Sequence, residues 1–176
     1  MHEHNNITNE KVRLENSSYN EEWIKKNKLV GHEIISVGSL DVEIIQKTDS
    51  KSFQVAWLKN IDRLITMLPS NFDFKTYTLV DVGCDSGIST LYFYQNSKFK
   101  NLVGFDFSKK LIDSAENNKR ILFEKNGIDK NKKINFSVCD ALNFKIHDKV
   151  CMFMFNPFGA KTIINFVQYN INILSK

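Results

Sequence analysis

The sequence predicts an α/β fold: a Rossmann-like, mainly parallel sheet flanked by helices and truncated after its fourth strand. Three observations carry this. From residue 77 onward, short apolar runs alternate with stretches of helical spacing, the pattern of parallel strands joined by right-handed crossovers. The first run enters a glycine loop, Asp81-Val82-Gly83-Cys84-Asp85-Ser86-Gly87, and then a helix. Polar or acidic residues close the next three runs, at the carboxyl edge where open α/β sheets bind ligands.

Taken in order, residues 1–20 are polar and are expected to form a flexible N-terminal tail. Residues 21–70 read as a helical and extended cap. A short helix is predicted over 21–30, carrying Trp23 and Ile24. The β-branched clusters Ile34-Ile35 and Val42 to Ile45 flank a turn at Gly38-Ser39. Trp57, Leu58, Ile61, Leu64, Ile65 and Leu68 recur at helical spacing, with Ser50 or Ser52 as cap and Pro69 as stop. Residues 71–176 form the core. Its strands are predicted at Tyr77 to Val82, Asn101 to Phe105, Ile134 to Val138 and Lys149 to Phe155. Its helices are predicted at Gly87 to Asn96, Ser108 to Asn126 and Ala160 to about Leu174, the second capped by Ser108 and stopped by Gly127.

Bulk composition fits one globular domain: 176 residues, 42% hydrophobic and 25% charged. The formal charge of +4 comes from lysines scattered along the chain, such as Lys109 and Lys110 or Lys130, Lys132 and Lys133. They read as solvated faces rather than a nucleic-acid track. Cys84, Cys139 and Cys151 are too few for a disulfide framework or a zinc site, so reduced thiols and no metal are expected. No apolar run approaches ~18 residues and the N-terminus carries no apolar signal region, which points to a cytoplasmic protein without a membrane partner.

The chemistry concentrates at the strand ends. Gly83 permits a sharp turn, Gly87 permits close approach at the helix start, and the helix N-terminus suits an anionic group such as a phosphate or an amino-acid carboxylate. Asp106, with Phe107 beside it, lies 25 residues after Asp81 and is placed to accept protons from ribose hydroxyls. Asp140, in Val138-Cys139-Asp140-Ala141, is placed to meet an adenine amino group. Asn156-Pro157-Phe158-Gly159 follows the fourth run. Four such features in register predict a nucleoside site. A nicotinamide dinucleotide enzyme is disfavoured, because G-x-G-x-x-G is replaced by Gly83-x-Asp85-x-Gly87.

The run from Asp81 to about Phe158 resembles class I S-adenosylmethionine-dependent methyltransferases. Asp81 to Gly87 is similar to their first motif, Asp106 to the acidic ribose ligand, Asp140-Ala141 to the adenine-edge position, and Asn156-Pro157-Phe158 to the motif after strand four that faces the methyl group. Phe155-Asn156-Pro157-Phe158-Gly159 is also similar to a set of small bacterial methyltransferases. The resemblance implies S-adenosylmethionine as cofactor, bound by Asp81, Gly83, Cys84, Asp85, Gly87, Asp106, Phe107, Asp140, Ala141 and Asn156. It implies acceptor positioning by Asn156, Pro157 and Phe158. Expected activity is O- or N-methylation of a small molecule or sugar. The alternative is a weak or inactive methyltransferase-like binding module, part of a larger assembly.

Two departures bear on activity. Asp85 stands where the family usually has glycine, and its charge is expected to oppose the cofactor carboxylate. The chain stops after the helix following strand four, so that strand is expected to be an edge, covered by residues 21–68, by an oligomer contact or by a partner.

Overall fold

Among the described residues, four short apolar runs pair in one parallel sheet: β1 (Thr78–Val82), β2 (Asn101–Asp106), β3 (Lys133–Val138) and β4 (Val150–Met154), in the order β3-β2-β1-β4. The computed structural model describes residues 2–31, 49, 54–147 and 149–174. Within the sheet Val82 lies opposite Phe105 on one side and Met154 on the other, so the four strand ends share one rim. Side chains alternate between two apolar layers. Leu79 and Leu102 join Leu58, Ile61, Leu91, Tyr92, Phe99 and Leu122 on one face. Val80, Val82 and Phe105 join Ile146, Phe158 and Phe166 on the other.

Among the described residues, five helices flank the sheet: α1 (His2–Asn27), α2 (Leu58–Met67), α3 (Ile88–Asn96), α4 (Lys109–Asn126) and α5 (Ala160–Leu174). The parallel α/β architecture is the one the sequence predicts. Ser108 accepts from Leu111 N at 3.3 Å and Gly127 closes α4 at φ 77, both as expected. Leu68 is extended at ψ 141 because the following Pro69 disfavours helix there.

The N-terminal segment differs from expectation. Residues 2–20 are helical, and the predicted helix over 21–30 is only the end of α1. No apolar stripe marks this helix, so periodicity could not find it. Its last turns enter the first apolar layer through Ile24, Trp23 and Tyr19, and polar contacts add to them. The Asn20 side chain donates to Ala56 O at 3.0 Å and accepts from Leu58 N at 2.9 Å, which caps α2 from outside. Tyr19 and Tyr92 share the Asp62 carboxylate at 3.2 and 2.8 Å, and Trp23 meets the Tyr92 ring edge-on at 5.1 Å. The clusters at 34–35 and 42–45, the turn at 38–39 and the Ser50 or Ser52 cap lie outside the described residues.

β4 pairs with β1 alone, and among the described residues no strand lies on its outer side. Both faces of β4 are packed: Phe153 lies edge-on to Phe93 of α3 at 5.1 Å, and Val150, Met152 and Met154 lie against the second apolar layer. Among the described residues no helix is long and apolar enough to cross a membrane.

Candidate nucleoside-binding cleft

Where β1 leaves the core, Gly83 turns the chain at φ 69. A Cβ there would lie 2.5 Å from Pro157 Cβ, so only glycine lets the loops after β1 and β4 touch. Gly83 N and Cys84 N both donate to Phe105 O, at 3.0 and 2.9 Å, which pins the first loop to the end of β2. Asp85 follows in left-handed backbone at φ 47, a region Asp tolerates better than most residues. Its N–H donates to Asp106 Oδ2 at 3.2 Å.

Above this loop, Asn118 of α4 is fully buried. It donates to Val30 O at 2.7 Å and Ser86 O at 3.0 Å, and it accepts from Val30 N at 2.9 Å. One amide therefore ties the segment after α1 to the glycine loop.

Three carboxyl groups gather here. Asp81 is 2% exposed and accepts a 2.6 Å hydrogen bond from Thr90 Oγ1. Burial pushes its pKa up to about 7; the Thr90 bond opposes the rise and the Asp106 charge adds to it. Asp85 is also pushed well above the usual carboxylate range, by burial first and by Asp81 and Asp106 next, against the Ser86 hydroxyl at 3.0 Å. That shift, toward the uncharged acid, works against the expected clash with a ligand carboxylate. Burial and the same acids also raise Cys84, which favours an inert thiol.

The rim continues along β2 and β3. Asp106 is 5% exposed and accepts from Asp85 N and, through Oδ1, from Ser108 N at 3.0 Å. Cys139 N donates to Asp106 O at 2.8 Å, which aligns the ends of β2 and β3. Asp140 accepts from Leu142 N at 2.9 Å and starts the short 3-10 turn Ala141–Asn143. After β4, Asn156 adopts φ 48 on the surface, Pro157 abuts Gly83, and Phe158 enters the second apolar layer.

These elements enclose a cleft of about 150 Å³ on the rim of the sheet. No protein-family model matches the sequence, and none of the curated proteins does. Solved structures do match. A putative RNA methyltransferase from Pyrococcus horikoshii has a TM-score of 0.51 at 17% identity, over 85% of this chain and 67% of that one. The small RNA methyltransferase HEN1 has a TM-score of 0.50 at 17% identity, over 66% of this chain and 15% of its own. The chain therefore spans only part of each of these structures. This is the fold of class I S-adenosylmethionine-dependent methyltransferases.

Within that methyltransferase fold, the cleft brings together Asp81, Gly83, Cys84, Asp85, Asp106, Phe107, Asp140, Ala141, Asn156, Pro157 and Phe158. Gly87 is the exception among the expected residues. It does not line the cleft: it begins α3 at φ 76, and a Cβ there would strike Phe136 and Ala115. Its missing side chain serves helix packing on the β3 side, because the chain approaches protein there rather than a ligand.

Sequence reasoning missed Asp49, Gln54, Ser89, Phe153, Phe155 and Thr162, which also line the cleft. Phe155 and Thr162 flank the Asn156 motif, so adjacency was an available signal. Asp49 had none. Its carbonyl accepts from Gly159 N at 2.7 Å and its Oδ2 from Thr162 N at 2.9 Å, so a residue far upstream caps α5. Among the described residues, no group of three or more His, Cys, Asp or Glu is arranged to hold a metal ion.

Proposed function

We propose that the protein is an S-adenosylmethionine-dependent methyltransferase that works in the cytoplasm on a small molecule or sugar, by O- or N-methylation. One observation carries this reading: the predicted residues of four successive strand ends line a single cleft. The donor set suits the cofactor. Asp106 supplies a carboxylate at the end of β2 on the cleft rim, the chemistry that paired ribose hydroxyls require. Phe107, Ala141 and Leu111 give apolar walls for a flat base, with Asp140 at their edge. Gly83, Cys84 and Asp85, whose pKa burial raises, face the amino-acid end, next to α3, which no side chain caps.

When bound, the cofactor would supply an electrophilic methyl carbon, carried on a sulfonium whose sulfur is the leaving group. The chain needs only to align the acceptor and exclude water. Asn156 offers a carboxamide for the acceptor, Pro157 fixes the turn against Gly83, and Phe158 is a wall.

A second reading, a weakly active or inactive binding module within a larger assembly, draws support from β4, whose outer edge carries no strand among the described residues. Turnover separates the two. Incubation with S-adenosylmethionine and a panel of small amines, alcohols and sugars should release S-adenosylhomocysteine with at least one acceptor. Tight cofactor binding with no release above the acceptor-free rate would favour the module.

A further inference from the structure

The buried stripe of α4 is apolar at Leu111, Ala115 and Leu122, yet between the last two stands Asn118, which is fully buried. Burying a carboxamide costs free energy unless its hydrogen bonds are remade. Here they are remade on backbone alone. Both amide hydrogens donate, to Val30 O at 2.7 Å and to Ser86 O at 3.0 Å, and the amide oxygen accepts from Val30 N at 2.9 Å. The position requires two donors and an acceptor in one short plane, which an aliphatic side chain lacks.

The end of α1 delivers the segment that Asn118 receives. Lys28 takes left-handed backbone at φ 58, Leu29 N donates to Ile24 O at 3.0 Å, and Leu29 enters the first apolar layer. Val30 is 55% exposed, so its backbone rather than its side chain is what α4 holds. Gly31 follows at φ 108, and any Cβ there would strike the side chain of Ser86. Ser86 is therefore met twice, at its carbonyl by Asn118 and at its side chain by Gly31. Its hydroxyl donates to Asp85 Oδ1 at 3.0 Å. Asp85 lines the cleft, with Ser86 and Asn118 behind it.

Attaching α1 to α4 does not need this arrangement. Asn126, further along α4, donates to Asn27 Oδ1 at 3.2 Å and joins the same two helices without reaching the loop. What Asn118 adds is a fixed peptide after Ser86. A trans peptide points its C=O and N–H in opposite directions. With Ser86 O held toward α4, Gly87 N points back to Cys84 O and donates to it at 2.8 Å. That bond closes the turn that carries Asp85 at φ 47.

We propose that Asn118 is a positioning residue for the amino-acid end of the cofactor: acting through Ser86, it sets the turn that presents Asp85, and it makes the segment after α1 part of the support of that end. This rests on the methyltransferase reading for the identity of the cofactor. The adenosine end is assigned to other elements, the ends of β2 and β3, so the two ends respond differently to a change at Asn118.

Two ligands separate the ends: S-adenosylhomocysteine, and 5′-methylthioadenosine, which keeps the adenosine and the sulfur but has no amino acid. Calorimetry measures both on the full chain for wild type, Asn118→Ala, Gly31→Ala and Asn126→Ala. Asn118→Ala and Gly31→Ala should each weaken S-adenosylhomocysteine by at least about fivefold, the worth of roughly one hydrogen bond, and leave 5′-methylthioadenosine within about twofold. Asn126→Ala should change neither ligand by more than about twofold. A purely structural role lowers both ligands together. Equal weakening of the two ligands by either loop-facing variant, no weakening of either ligand, or a selective loss in Asn126→Ala as large as theirs would overturn the proposal. If Asn118→Ala does not fold, Gly31→Ala decides alone, since it disturbs Ser86 from the other side and removes no hydrogen bond. Failure of S-adenosylhomocysteine to bind wild type would instead defeat the methyltransferase reading.

Discussion

The loop after β1 and the loop after β4 follow adjacent parallel strands, and each holds a non-glycine residue in left-handed backbone, Asp85 at φ 47 and Asn156 at φ 48. Their support differs. The first loop is fixed from within the sheet: Phe105 O accepts from two of its amides, Asp106 from a third, and buried Asp81 lies beneath it. The second is exposed at Phe155 and Asn156 and is steadied from outside, by Asp49 on Gly159 and Thr162. The part of the cleft assigned to the cofactor is thus continuous with the core. The part assigned to the acceptor is clamped by a residue remote in sequence, so its residues can change without disturbing the sheet.

The contrast is open to attack by substitution. The largest effect is expected at the single point where the loops meet. Gly83→Ala combines a left-handed backbone with a clash against Pro157 and should cost roughly 2–4 kcal/mol. Denaturant unfolding checks this, and cofactor affinity should fall with stability.

Next is Asp81, whose pKa rises from the 3.8 of a free side chain to about 7 on folding. The folded chain therefore binds more protons than the unfolded chain between about pH 4 and 7, so stability falls as pH rises through that window. Asp85 shifts in the same direction and adds to the slope. Asp81→Asn keeps an acceptor for Thr90 and removes the charge. The variant should be more stable than wild type at pH 8, by on the order of a few kcal/mol at most, and equal to it near pH 4. Thermal unfolding at the two pH values measures the difference.

At the second loop the expected costs are smaller. Asp49→Ala removes the cap on α5 and should cost about 1 kcal/mol, with cofactor affinity nearly unchanged. Asn156→Ala should shift stability by less than about 1 kcal/mol, since the residue is exposed, while lowering turnover more than cofactor affinity. If Asn156→Ala were to weaken cofactor binding alone, the division of the cleft into two ends would fail.

What the sequence made legible follows the same divide. Each strand, the capped helix α4, and every expected cleft residue but Gly87 could be read from local pattern, because strand, glycine turn and helix are contiguous there. Gly87 lies outside the cleft lining, and an absent side chain does not reveal in the sequence whether protein or ligand occupies the space; here Phe136 and Ala115 do. The part of α1 before residue 21 was missed because the anchors near its middle are polar, Asn20 on Ala56 and Leu58 and Tyr19 on Asp62, and such contacts leave no periodic trace. Asn118 read as one more helix residue, yet it joins Val30 to Ser86. Asp49 was invisible for the plainest reason: nothing in its neighbourhood announces a cap for a helix more than a hundred residues later.

The central claim is that the strand ends form one adenosine site with Asp106 as its ribose ligand. Calorimetric titration of S-adenosylhomocysteine into wild type and Asp106→Asn tests it directly. The amide variant keeps an acceptor oxygen for a neighbouring backbone amide but loses one of the two carboxylate acceptors. The account predicts saturable one-to-one binding by wild type and at least tenfold weaker binding by the variant at matched stability. Equal affinity in the two proteins, or no heat of binding from wild type at millimolar ligand, would contradict it.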